Sequence, residues 1–119
     1  MTPICLPLPP NSLRVNRTIG QHWSSGYNEK GAYQLQCVGA WKDAGRPMCA
    51  SVPVHLQAVV YLGKSQRCDA VDALTWAKPG LDALSRLAWR DDGSKYLNPV
   101  TVEVRRDWER PRIELTWEG

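Results

Sequence analysis

The chain lacks the sequence features that mark membrane and secreted proteins. None of its 119 residues belongs to a run of roughly 18 consecutive apolar residues, the length that a membrane-spanning helix needs. Residues 1–10 also lack the basic start and the long apolar core of a signal peptide. These absences predict a soluble, cytoplasmic protein with no membrane partner. A length of 119 residues, 43% of them hydrophobic, predicts a single domain over residues 1–119.

Cysteine and histidine are too sparse for a zinc site or a disulfide framework. The four cysteines, Cys5, Cys37, Cys49 and Cys68, form no Cys-x-x-Cys pair and have no histidine close by. We therefore expect buried thiols in a reducing compartment. Glycine-rich phosphate loops, nucleophile elbows and histidine metal motifs are absent as well. His55 lies on the polar side of a predicted strand, where a partly exposed structural position is favoured over a catalytic one.

Four segments alternate apolar and polar residues in the way that is typical of strands: residues 4–8, 52–62, 100–104 and 113–117. The clearest pattern, over residues 52–62, predicts the central strand of a sheet. Asp107 to Arg110 separates the last two segments and is predicted to be a hairpin turn.

Helical spacing of apolar residues predicts two helices. The first is expected over residues 28–44 with Asn28 as its N-cap, after a polar, basic loop at residues 11–25. The second is expected where Leu81, Leu84 and Leu87 follow one face with Ala77 and Ala88 beside it, and Pro79 is expected in its first turn. The order strand, helix, strand, helix, hairpin predicts an α+β fold with a mixed β-sheet and two helices.

Carboxylates stand at two junctions between predicted elements. Asp69 and Asp72 precede the second helix, and Asp91 and Asp92 follow it. If the fold brings these junctions to one edge, the clustered carboxylates repel one another unless a hard divalent cation binds them. Such a metal activates water and offsets phosphate charge in phosphodiester hydrolysis. The competing interpretations are a carboxylate favoured by the helix dipole at Asp72 and an ordinary polar turn at residues 91–93.

The net charge of +3, from 15 basic and 12 acidic side chains, permits a nucleic-acid partner. A basic rim that contacts DNA phosphates is predicted from five residues: Arg14, Arg17, Lys64, Arg67 and Lys78. Simple solvation of these side chains is the competing interpretation. A solvated, ion-paired edge is expected for the arginines around the last two strands: Arg105, Arg106, Arg110 and Arg112.

The segment Asp72 to Leu84, D-A-L-T-W-A-K-P-G-L-D-A-L, is followed by W-R-D-D at residues 89–92. Together they resemble the signature of the RusA family of Holliday-junction resolvases. In that family a central strand leads to D-x-D-N-x-x-K, then D-A-L, and an aspartate pair follows the helix. Residues 6–12, L-P-L-P-P-N-S, are similar to the family's opening strand and turn. The resemblance therefore covers nearly the whole chain in order and spacing.

The resemblance implies a RusA-like fold and a Mg²⁺-dependent, homodimeric endonuclease that cuts four-way DNA junctions. It implies that Asp72 and Asp92 are catalytic metal ligands and that Lys78 contacts the phosphate. Asp69 and Asp91 are expected to be auxiliary metal ligands.

Two positions depart from the family pattern. Leu74 stands where the family has its second aspartate, and Thr75 where it has asparagine. Asp69, three residues before Asp72, is a candidate replacement ligand. The alternative is a catalytically inactive, dimeric relative that binds branched DNA.

Overall fold

The computed structural model describes residues 1–10, 13, 23–49, 53–90 and 96–118. It contains four strands: β1 (Ile4–Leu6), β2 (Val54–Leu62), β3 (Leu97–Arg106) and β4 (Arg112–Glu118). Its helices are α1 (Trp23–Asp43) and α2 (Ala73–Leu84), and one turn of 3-10 helix at Ala70–Asp72 leads into α2. The predicted α+β class, with a mixed sheet of four strands and two helices, is confirmed.

The strands form one sheet in the order β1-β4-β2-β3. β2 pairs in parallel with β3, whereas β4 is antiparallel to both β1 and β2. β2 is therefore an interior strand, as predicted. The predicted hairpin is wrong, because β2 lies between β3 and β4. Residues 107–111 cross the end of β2 over roughly 10 Å, two strand spacings, which five residues span easily.

One face of the sheet carries the core. Residues 54, 56, 58, 60 and 62 of β2 are all buried on this face, as their alternation predicted. They belong to one apolar cluster with side chains of both helices: Tyr33, Cys37, Trp41, Trp76, Ala77, Leu81 and Leu84. Trp89 meets Trp117 of β4 edge to face, with ring centroids 6.0 Å apart. Both helices therefore pack on the same side of the sheet.

The start of α1 differs from the sequence prediction. α1 begins at Trp23, so residues 23–25 are helical rather than part of the loop, and Asn28 lies inside the helix instead of capping it. Extending a helix already nucleated costs far less than starting one, so weak helix formers such as Ser24, Ser25 and Gly26 join it. In the part of the chain that the structure describes, neither helix is long and apolar enough to cross a membrane.

Pro79 also lies elsewhere than predicted. It sits in the middle of α2 and not in its first turn, because α2 already begins at Ala73. A proline there has no N–H to donate to the carbonyl of Thr75. Its ring is buried, so apolar packing compensates for part of that loss.

The cysteines do not share one environment. Cys37 is buried, Cys49 and Cys68 are half-buried, and Cys5 is exposed. The expectation of buried thiols is correct for Cys37 alone. All four are free thiols, as predicted.

Candidate functional site

The candidate site lies on the connection that leaves the carboxyl end of β2 and leads to α2. Because β2 and β3 are parallel, with Leu62 opposite Arg106, both strands end at the same edge of the sheet. The chain that leaves β2 carries Lys64, Arg67, Asp69 and Asp72 before α2 begins. The chain that leaves β3 returns across this edge to β4.

Asp69 and Asp72 are joined by a short turn. The Asp72 N–H donates to the Asp69 carbonyl at 2.9 Å, and both residues are exposed. Asp69 directly precedes the 3-10 helix at Ala70–Asp72 and Asp72 is its last residue, so the two carboxylates stand at the two ends of one turn. Asp72 immediately precedes α2, yet its carboxylate makes no capping hydrogen bond to the helix. Its oxygens therefore remain available to a ligand.

Leu74 and Lys78 are not turned toward Asp72. Positions 72 and 74 are about 160° apart around a helix, and positions 72 and 78 about 120°. Leu74 is 49% exposed. The Lys78 Nζ lies 3.1 Å from Oδ1 of Asp82, one turn further along α2. The structure thus joins Asp69 and Asp72 through one backbone turn and pairs Lys78 with Asp82.

Four predicted site residues, Asp91, Asp92, Arg14 and Arg17, lie outside the described residues. The nearest described neighbours of the two aspartates are Arg90 and Tyr96. The Tyr96 carbonyl accepts the N–H of Val54, at the start of β2. The Arg90 guanidinium lies 5.6 Å from the centre of the Tyr96 ring.

At this site, the described residues provide two carboxylates that could bind a metal, Asp69 and Asp72. Among them, no group of three or more histidine, cysteine, aspartate or glutamate side chains is placed to hold a metal ion. Asp69 and Asp72 provide oxygen donors, which suit Mg²⁺, and Mg²⁺ is commonly held by one or two carboxylates together with substrate phosphates. This donor set fits a metal that binds together with DNA and does not form a closed metal cage.

Two predicted DNA-contacting cations, Lys64 and Arg67, lie on the connection that follows β2. Lys64 and Arg67 are exposed, and neither forms an ion pair with a carboxylate of the described residues. Lys64 instead places its Nζ 5.8 Å from the ring centre of Trp108. These two predicted DNA-contacting residues are therefore free to bind phosphate.

The arginines of the last two strands divide into two groups. Arg105 pairs with Glu103 at 2.8 Å, and Arg112 pairs with Asp107 at 2.7 Å and Glu114 at 3.0 Å. The hydrogen bond from Arg112 lowers the pKa of Asp107 below its ordinary value. These pairs match the expected ion-paired edge.

Arg106 and Arg110 do not follow that expectation. Arg106 Nη1 donates to the carbonyls of Gly63 and Gln66, at 2.9 and 3.1 Å. Arg110 is exposed and has no carboxylate partner among the described residues. The positive charge of both side chains is therefore not cancelled by an ion pair in the described part of the chain.

The sequence analysis missed Trp108, which lies in the crossing between β3 and β4 and is 65% exposed. The sequence did contain a signal that could have identified it: a tryptophan within the charged segment D-W-E-R, residues 107–110, where a turn was predicted.

A separate shallow pocket of about 270 Å³ is lined by Met1, His55, Gln57, Thr116 and Trp117. His55 is exposed there, as predicted. The pocket lies toward the start of β2, where His55 is opposite Glu118 of β4. It contains none of the predicted site residues.

Comparison with known proteins adds no family assignment. No protein-family model matches the chain, and no curated protein matches it significantly. The motif resemblance and the geometry of the connection after β2 are therefore the basis for inferring a function.

Proposed function

We propose that the protein is a Mg²⁺-dependent, structure-selective endodeoxyribonuclease that resolves four-way DNA junctions as a homodimer with a RusA-like fold. One observation carries the proposal: Asp69 and Asp72 are both exposed at the two ends of one turn on the connection from β2 to α2. Lys64 and Arg67, on the same connection, add cations for the DNA backbone. The order and spacing of the RusA-like motifs support the choice of substrate.

Each residue has a distinct role in this proposal. Asp69 and Asp72 supply carboxylate oxygens for the metal, and the motif resemblance assigns Asp91 and Asp92 to the same task. When bound, Mg²⁺ supplies an activated water and offsets charge on the phosphate. Lys64 and Arg67 hold the phosphates beside the cleaved bond.

Lys78 is the cation assigned to the phosphate itself. Its ion pair with Asp82 is exposed on the lysine side. Pairs of this type within a helix contribute only about 0.3–0.5 kcal/mol. A DNA phosphate can therefore replace Asp82 as the partner of Lys78 at little cost.

A second function is a catalytically inactive protein that binds branched DNA as a dimer. One observation favours it: Leu74 occupies the position of a family aspartate. The cations at the sheet edge serve this function equally well.

Cleavage of a labelled four-way DNA junction, with and without Mg²⁺, separates the two functions. We expect paired cuts that require Mg²⁺ and are abolished in Asp72→Asn, while binding in a gel-shift assay persists. Asp43→Asn is the matched control, because Asp43 is an exposed aspartate at the end of α1. Binding without cutting by the wild type selects the inactive protein. If the wild type neither binds nor cuts the junction, both functions are contradicted.

A further inference from the structure

Trp108 is exposed to solvent on the connection between β3 and β4. Two thirds of its surface, 65%, is exposed, although tryptophan is usually largely buried. A single exposed apolar residue needs no special explanation. The surroundings of Trp108, however, differ from those of an ordinary surface side chain in two respects, anchoring and charge.

The segment that carries Trp108 is anchored on both sides. Asp107 donates its N–H to the Leu62 carbonyl at 3.0 Å, which fixes the crossing to the end of β2. The Asp107 carboxylate accepts the N–H groups of Glu109 and Arg110, and it also pairs with Arg112. The backbone around Trp108 is therefore held in place before any ligand arrives, which lowers the entropy cost of binding.

The connection after β2 is fixed to the same place. Arg106 of β3 donates to the Gly63 and Gln66 carbonyls, and the Gln66 Oε1 accepts the Gly63 N–H at 2.6 Å. This connection carries Lys64, whose Nζ lies 5.8 Å from the Trp108 ring centre, near the outer limit of a cation–π contact. The ammonium group is thus beside the ring and still exposed.

Charges of both signs lie around Trp108. Arg112 pairs with both Asp107 and Glu114, and Glu109 is the nearest other anion along the chain. Lys64 and Arg110 have no ion-pair partner among the described residues. An exposed aromatic ring flanked by free cations is the arrangement with which proteins bind single-stranded nucleic acid, because bases stack on the ring while cations contact the backbone.

We propose that Trp108 is a stacking platform for an unpaired nucleobase of DNA, with Lys64 and Arg110 contacting the adjoining phosphates. The platform stands at the edge of the sheet where β2 and β3 both end, and the connection that carries Asp69 and Asp72 begins there. This inference rests on the proposed function for the identity of its ligand, DNA. It does not require that the protein cut DNA, so the two proposals can fail separately.

Fluorescence anisotropy of a labelled 12-nucleotide oligo(dT) tests the platform with the full-length chain. Stacking of one base predicts that Trp108→Ala raises Kd about fivefold or more. Trp108→Phe keeps a ring and should retain most of the affinity. Lys64→Ala should reduce the slope of log affinity against log salt by about 0.7, the value expected for one phosphate contact on a single strand.

Leu35→Ala and Lys42→Ala are the matched controls, since both residues are exposed on α1 and away from the sheet edge. Each should leave Kd and the salt slope unchanged. The proposal is overturned if the wild type does not bind oligo(dT), or if Trp108→Ala binds as the wild type does. It is also overturned if Trp108→Phe is as weak as Trp108→Ala, or if Trp108→Ala dissociates a dimer of the chain.

Junction cleavage measured on the same variants distinguishes the proposed nuclease activity from the proposed stacking platform. Loss of oligo(dT) affinity in Trp108→Ala, with no cleavage by the wild type, contradicts the nuclease and supports the platform. Metal-dependent cleavage, with oligo(dT) binding unaffected in Trp108→Ala, supports the nuclease and contradicts the platform.

Discussion

At the scale of single residues, the metal site depends on which side chain accompanies Asp72. The family pattern points to position 74, but a residue there lies on the far side of the helix from position 72. Asp69 is joined to Asp72 by one turn, in which the Asp72 N–H donates to the Asp69 carbonyl. We therefore predict that Asp69→Asn and Asp72→Asn each weaken Mg²⁺ affinity roughly tenfold or more, and that Leu74→Asp does not strengthen it.

Isothermal titration of Mg²⁺ into the protein bound to a four-way junction with non-hydrolysable backbone linkages tests this prediction. Asp43→Asn removes a carboxylate of similar exposure and should bind metal as the wild type does. A Leu74→Asp variant that binds Mg²⁺ more tightly would show that the turn rearranges and that the family pattern still governs the site. Unchanged Mg²⁺ affinity in Asp69→Asn would show that Asp69 is not part of the metal site.

At the scale of elements, the approach of α2 to β1 depends on Gly80. A Cβ at this position would lie 2.7 Å from Cδ1 of Leu6 and 3.6 Å from the hydroxyl oxygen of Tyr33. Leu6 is itself buried, so its side chain has little room to move. Overpacking costs about 1–3 kcal/mol, whereas replacing glycine in a helix gains up to about 1 kcal/mol. We predict that Gly80→Ala lowers the free energy of unfolding by about 1 kcal/mol.

Urea denaturation checks this prediction, and α1 contains the control. A Cβ at Gly39 would meet nothing within 4 Å, so Gly39→Ala should raise the free energy of unfolding by about 0.5–1 kcal/mol. Combining Gly80→Ala with Leu6→Val should cost less than the sum of the two single changes, because the shorter side chain makes room. If Gly80→Ala is as stabilising as Gly39→Ala, the close approach of α2 and β1 is wrong.

Much of the arrangement of elements could be predicted from the sequence. The alternation over residues 54–62 identified β2 as an interior strand, and helical spacing located the buried face of α1 at Tyr33, Cys37 and Trp41. These patterns are informative because each residue's burial is set by its position within one element.

Neighbours in the sheet could not be predicted in the same way. Alternation in β3 and β4 shows that each strand has one buried face, but it does not show that β2 lies between them. The short segment at residues 107–111 therefore looked like a hairpin turn, and Trp108 was taken for part of it. The pairing of Asp69 with Asp72 was a hypothesis from spacing, and the 3-10 turn that supports it is a feature of the backbone.

At the scale of the whole molecule, Cys37 makes the stability of the fold depend on pH in the alkaline range. Cys37 lies in the core where α1 meets α2, and burial raises the pKa of its thiol to about 11 from an ordinary value of 9.0, against a smaller lowering by a hydrogen bond with Tyr33. Between these two values the unfolded chain loses the thiol proton while the folded protein keeps it. Folding stability must therefore fall as pH rises through this window, by roughly 1.4 kcal/mol per pH unit at most.

Urea unfolding at several pH values from 8 to 11 measures this effect, when the wild type is compared with Cys37→Ala. The variant is less stable at pH 8, since it leaves a cavity in the core. Its disadvantage should shrink as pH rises, because it has no thiol to deprotonate. Gly39→Ala removes no ionisable group and should follow the pH dependence of the wild type. A constant difference between wild type and Cys37→Ala across the range would mean that the thiol titrates alike in both states, and that the core around it admits water.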